Sequence, residues 1–213
     1  MKRFLFLVAI FGFSNSAFSG EVLCLGPKDA RESLIYLHGM DPVAPSSQEL
    51  ATRADLERLG HELGLRVAVP RSQTLCPKDK TLLCWPQTSR DTLSLTWEKI
   101  LSDSALCFTR TPSDPILLGF SNGGYFATQL WQECLPSGPQ RVLAIGSGET
   151  RREKAPAASC GRLTLLVGRR DQVLPSARAF HKRLLARKSK IDFIEFDGGH
   201  QVDPSSIKSF WGK

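Results

Sequence analysis

A regular exchange of two hydrophobic patterns constrains this chain most. Short apolar runs of strand type lie at 34–37, 66–69, 116–118, 142–145, 163–167 and 191–196. Stretches of helical periodicity separate them. Ser46 and Glu49 form a capping-box pattern, and Leu56, Leu59 and Leu63 then follow at steps of three and four up to Gly64. Residues 89–101 suit a helix. Ala127, Leu130, Trp131 and Cys134 recur at helical spacing after Gly123-Gly124. Ala177, Phe180, Leu184 and Leu185 do the same behind Ser176, the expected N-cap, and a short helix is expected after Pro204. Strands that alternate with helices give a mainly parallel sheet flanked by helices on both faces, so the fold class is α/β. The 213 residues suit one domain, and 41% apolar with 23% charged residues is a globular composition.

The first residues do not fit that alternation. Lys2 and Arg3 precede an apolar run from Phe4 to Phe13, and small polar residues reach Ser19. This is the build of a cleaved signal peptide, with cleavage after Ser19 or, alternatively, after Ala17. The apolar run is too short to span a bilayer, which takes about 20 residues. Residues 1–19 are therefore expected to be removed, leaving 20–213 as one secreted or periplasmic domain with no membrane span. The formal charge of +7, less Lys2 and Arg3, becomes +5.

Export alters the reading of Cys24, Cys76, Cys84, Cys107, Cys134 and Cys160. An even number in an oxidising compartment favours disulfides. Cys76–Cys84 is the first pairing expected and Cys134–Cys160 another. Metal binding fits poorly, since there is no Cys-x-x-Cys and no histidine at finger spacing.

Gly119-Phe120-Ser121-Asn122-Gly123 stands between an apolar strand and a helix. A serine on a sharp strand-to-helix turn needs residues without side chains two positions before and after it, and Gly119 and Gly123 meet that need. Serine needs a base to become a nucleophile, and the base needs an orienting carboxylate. Of the four histidines, His61 and His181 read as solvated helix residues and His38 ends an early strand. His200 follows Gly198-Gly199 at the end of the last strand, where ligand chemistry collects in open α/β sheets. Asp171, after the 163–167 strand, is the favoured acid, and Asp197 and Asp203 are rivals.

With these residues in view, the chain resembles the α/β-hydrolase superfamily along its whole mature length. The matching segments are Leu37-His38-Gly39-Met40, Gly119 to Gly124, Gly168 to Val173 and Gly198-Gly199-His200. The resemblance implies a triad of Ser121, Asp171 and His200, with the backbone N–H groups of Met40 and Asn122 as the oxyanion hole and His38 as a structural residue of that loop. The interval from 146 to 162 is too short for a lid domain. The nearest likeness is to compact, lidless esterases, thioesterases or polyester depolymerases. The expected substrate is a small or lipid-like ester, and the triad needs no metal or organic cofactor. A peptidase or amidase with the same triad is one alternative, and a non-catalytic binding protein on a hydrolase fold is another. Residues 75–86, with Cys76, Cys84 and Trp85, match no family pattern. They could border an acyl pocket, and a stapled surface loop is the favoured reading.

Arg151, Arg152, Lys154, Lys182, Arg183, Arg187, Lys188 and Lys190 read chiefly as a solvated face. With a modest charge after export and no binding motif, nucleic acid is a poor partner.

Overall fold

The computed structural model describes residues 22–109, 114–150 and 160–211. The expected signal peptide and Arg151, Arg152 and Lys154 lie outside these residues. Along the chain come β1 (Leu23–Leu25), β2 (Glu32–Leu37), β3 (Asp41–Pro42), α1 (Ser47–Leu63), β4 (Leu65–Val69), β5 (Leu82–Leu83), α2 (Arg90–Ser104), β6 (Ile116–Phe120), α3 (Asn122–Glu133), β7 (Arg141–Ile145), β8 (Arg162–Gly168), α4 (Leu174–Ala186), β9 (Ile191–Phe196) and α5 (Pro204–Trp211).

Seven strands form one sheet in the order β1-β4-β2-β6-β7-β8-β9. All neighbours run parallel except the edge strand β1, which pairs antiparallel with β4. The chain first builds outward from β2 to β4, then returns to β6 on the other side of β2. That reversal makes a topological switch point at the carboxyl ends of β2 and β6, where a crevice opens in this class of sheet. The register pairs Leu37 with Gly119, so the residues following these two strands emerge side by side.

Successive strand residues alternate between two apolar layers. Ile35, Leu37, Leu117, Val142, Ala144, Leu163 and Leu165 pack with Trp97, Phe126, Leu130, Trp131 and Phe180 of α2, α3 and α4. Leu34, Tyr36, Ile116, Leu118, Leu143 and Ile145 pack with Leu56, Leu59 and Ile207 of α1 and α5. Burial on both faces is why these strands are apolar throughout rather than alternating.

The helix starts show how local chemistry differs from pattern. Ser46 caps α1 through its Oγ, which accepts from the Glu49 N–H at 3.2 Å. The reciprocal half of the box is missing. Glu49 turns inward to Tyr36 Oη (3.1 Å) and Arg53 (2.8 Å), and the Ser46 N–H donates instead to Asp41. Gly64 ends the helix in a left-handed conformation. Ser176 is not the N-cap of α4. That helix starts three residues earlier, at Leu174 with Val173 as its N-cap, because Pro175 suits a first turn and Asp171 Oδ1 accepts from the Val173 N–H at 3.0 Å. His181 is half-buried and stacks on Phe193 at 5.2 Å, rather than being a solvated residue, and burial lowers its pKa.

Three disulfides join Cys76–Cys84, Cys134–Cys160 and Cys24–Cys107. The third ties edge strand β1 to the turn after α2. Between β7 and β8 there is room only for residues 146–161, and among the described residues no lid domain stands over the sheet. No described helix is long and apolar enough to cross a membrane.

Candidate active site

Ser121 sits between β6 and α3 with φ 51° and ψ −116°, a conformation that a residue with a side chain adopts only under constraint. The packing explains the glycines around it. A Cβ at Gly119 would drive into the Gly123 carbonyl, and one at Gly123 into the carbonyls of Leu37 and His38. A Cβ at Gly124 would stand 2.7 Å from Ser147 Oγ. The Ser121 N–H donates to Ile145 O at 2.8 Å, and its carbonyl accepts from the Tyr125 N–H at 2.9 Å. Both ends of the turn are thus held, one by the sheet and one by the helix.

His200 arrives from the loop after β9. Its Nε2 lies 2.8 Å from Ser121 Oγ and its Nδ1 2.8 Å from Asp171 Oδ2. The Asp171 carboxylate is almost fully buried (1% exposed), whereas the His200 side chain is 43% exposed. Phe120 lies beside the imidazole, with ring centres 5.1 Å apart. Asp171 has its second oxygen occupied by the Val173 N–H, so its carboxylate cannot swing away from His200 freely. The two rival acids are committed elsewhere. Asp197 is exposed and pairs with Arg170, and Asp203 caps the start of α5 through Ser205 and Ser206.

The two expected oxyanion donors flank this serine. Asn122 is the first residue of α3, so its N–H has no partner within the helix. Gly39 approaches Ser121 closely enough that a Cβ at Gly39 would be 3.3 Å from Ser121 Cβ, which sets the Gly39–Met40 peptide beside the turn.

His38 is fully buried, and burial lowers its pKa to about 4. The neutral ring is fully partnered: Nδ1 lies 2.6 Å from Gly39 O, and Nε2 accepts from the Ser72 N–H at 3.2 Å. That pair of contacts makes Nδ1 the protonated nitrogen, because an amide can only donate to Nε2.

Residues 75–86 are a stapled loop whose tip, 77–81, is exposed, while its base reaches into the protein. Cys76, Cys84 and Trp85 are buried, and β5 within the loop pairs with β3 just beyond Met40. The Trp85 indole N–H donates to His38 O at 3.0 Å, and the ring packs against His38 and Phe126. Sequence reasoning left Trp85 between a pocket border and a surface loop, and it missed Ser72 and Gly146 as parts of this region. The one available signal was a tryptophan directly beside a cysteine of a short, closed loop.

The basic residues are largely interleaved with acids. Arg178 makes a two-pronged contact with Glu195 at 2.7 and 2.8 Å, Arg183 pairs with Glu149, and Arg162 with Asp192.

No family profile and no curated protein sequence matches the chain. Solved structures do. A Bacillus cereus carboxylesterase is 15% identical with a TM-score of 0.68, over 93% of this chain and 95% of the other. A Mesorhizobium loti carboxylesterase is 16% identical with a TM-score of 0.64, over 92% and 95%. Esterase PE8 is 17% identical with a TM-score of 0.62, over 91% and 96%. This chain has the α/β-hydrolase fold. Ser121, Asp171 and His200 all follow the carboxyl ends of strands, β6, β8 and β9, the edge at which open α/β sheets bind ligands.

Proposed function

We propose that this α/β hydrolase is an exported serine esterase that cleaves small or lipid-like carboxylic esters through an acyl-enzyme. The observation that carries the reading is the unbroken chain from buried Asp171 through His200 to Ser121 Oγ, with both links at 2.8 Å. His200 Nε2 takes the Ser121 proton as Oγ attacks the acyl carbon. Asp171 holds the ring in the tautomer that leaves Nε2 able to accept, and stabilises the imidazolium that forms. The negative oxygen of the tetrahedral intermediate is received by the N–H groups of Met40 and Asn122. The imidazolium then protonates the departing alcohol. Water, deprotonated by the same His200, releases the acid and restores Ser121. The esterase neighbours support this class of substrate. The three disulfides support an oxidising compartment, and the basic, then apolar start of the chain supports export with residues 1–19 removed.

The test is a fluorophosphonate probe together with a panel of short and long acyl esters, thioesters and peptides on the oxidised protein. Labelling at Ser121 and ester turnover that vanish in Ser121→Ala are expected. Turnover of peptides over esters would make it an amidase, and a folded protein that neither labels nor turns over would make it a binding protein.

A further inference from the structure

Two N–H groups that on the esterase reading receive one oxygen atom come here from different elements: Met40 from the turn after β2 and Asn122 from the start of α3. Each is attached to its own element, so their separation has to be set by something that touches both. One residue does. The Trp85 backbone N–H donates to Asn122 Oδ1 at 2.6 Å, and Asn122 Nδ2 donates to Trp85 O at 3.3 Å, so the amide side chain grips the peptide of residue 85 from both sides. The same tryptophan sends its indole N–H to His38 O at 3.0 Å. His38 in turn hydrogen-bonds Gly39 O, and a trans peptide that has its carbonyl pinned presents the next N–H, that of Met40, on the opposite side.

Trp85 is itself anchored. It follows Cys84, whose disulfide to Cys76 closes the ring around β5. The Cys84 carbonyl accepts from Ser72 Oγ at 2.5 Å and its N–H donates to Thr74 O at 2.8 Å. Ser72 also donates its N–H to His38 Nε2. The segment from Ser72 to Trp85 thus makes contact with both turns, through buried hydrogen bonds on the His38 side and part-buried ones to Asn122.

We infer that Trp85 and the Asn122 side chain are positioning residues that fix the distance between the two oxyanion donors, with the Cys76–Cys84 ring as their anchor. This rests on the esterase reading. Preorganised donors stabilise the transition state because they need not move when charge develops. A loosened pair should therefore lose transition-state binding while ground-state binding of the ester stays as it was.

Asn122→Ala keeps the backbone donor and removes the grip. Trp85→Phe keeps the ring packing and removes the N–H to His38. In each variant kcat should fall about 10-fold or more with KM nearly unchanged. Affinity for a boronic acid or trifluoromethyl ketone, which mimic the tetrahedral state, should fall by the same factor. The double variant should lose less than the product of the two, since both act on one brace. Thermal unfolding is followed alongside. The inference is overturned if kcat and analogue affinity are unchanged in both variants, if KM alone moves, or if the loss of kcat merely tracks a loss of folded protein. Wild-type protein without ester turnover or Ser121 labelling would instead overturn the esterase reading itself, and the brace with it.

Discussion

The imidazole of His200 rests against the backbone of Gly146. A Cβ at 146 would stand 2.9 Å from Cε1 and 3.0 Å from Nδ1 of that ring, and 3.2 Å from Asp171 Oδ2. Gly146 follows β7 and has φ of 57°. The glycine is therefore needed twice, once for its own conformation and once for the flat space it leaves to the imidazole. Gly146→Ala should cost about 1–2 kcal/mol from the left-handed backbone. It should lower turnover far more, by about 100-fold, because the displaced ring no longer meets Ser121. Ester turnover measured beside thermal unfolding checks this. A variant destabilised but fully active would mean that the ring is not positioned by residue 146.

The placement of the acid gives a paired prediction. Asp171 is buried and holds both His200 Nδ1 and the Val173 N–H, while Asp197 is exposed on Arg170. Asp171→Asn keeps the shape but can donate toward Nδ1, which favours the tautomer with its proton on Nε2. Turnover should fall by about 10⁴-fold with little change in unfolding temperature. Asp197→Asn should leave turnover within a factor of about two, since exposed pairs contribute little. Equal losses in the two variants would remove Asp171 from its assigned role.

How much of this was legible in the sequence depended on whether the cause was local. Ser121, Asp171 and His200 could be located because each follows an apolar strand run, and a parallel sheet collects such ends along one edge. The core strands were legible because burial on both faces leaves uninterrupted runs such as Ile116-Leu117-Leu118. Edge strand β1 was not, since its three residues are only partly buried and it is held by pairing with β4 and by Cys24–Cys107. The role of Trp85 is not legible from its loop, because its hydrogen-bond partners, His38 and Asn122, are remote in the chain. Gly146 looked like any strand-end glycine, since nothing local announces that His200 will lie on it. The start of α4 lies ahead of Ser176 because Pro175 suits a first turn and Asp171, from outside the helix, fixes the Val173 N–H just before it.

Buried His38 makes the fold sensitive to acid. Its pKa is lowered to about 4 by burial, against about 6.5 in the unfolded chain. Between those values the unfolded state binds more protons than the folded one, so stability falls as pH drops from about 6.5 to about 4 and then levels off for this group. The shift corresponds to about 3 kcal/mol in all. Urea unfolding at pH 7, 5.5 and 4 should show the loss. His38→Asn, although less stable at pH 7, should show a shallower dependence over the same window. An unchanged slope in the variant would assign the acid sensitivity to other groups.

The three disulfides should differ in worth according to the chain they close. The Cys24–Cys107 link spans 83 residues, Cys134–Cys160 spans 26 and Cys76–Cys84 only 8. Restricting the unfolded chain is worth about 4.5, 3.5 and 2.5 kcal/mol respectively on a loop-entropy account. Removing Cys24 and Cys107 together should thus lower stability most, although β1 is an edge strand with β4 and β2 between it and β6. Removing Cys76 and Cys84 should lower it least, yet it frees the segment that holds Trp85 against Asn122 and His38. Denaturant unfolding and ester turnover measured on both double-serine variants should rank them in opposite orders. Variants that fall in the same order by both measures would show that the short ring is worth no more to catalysis than the stability it provides.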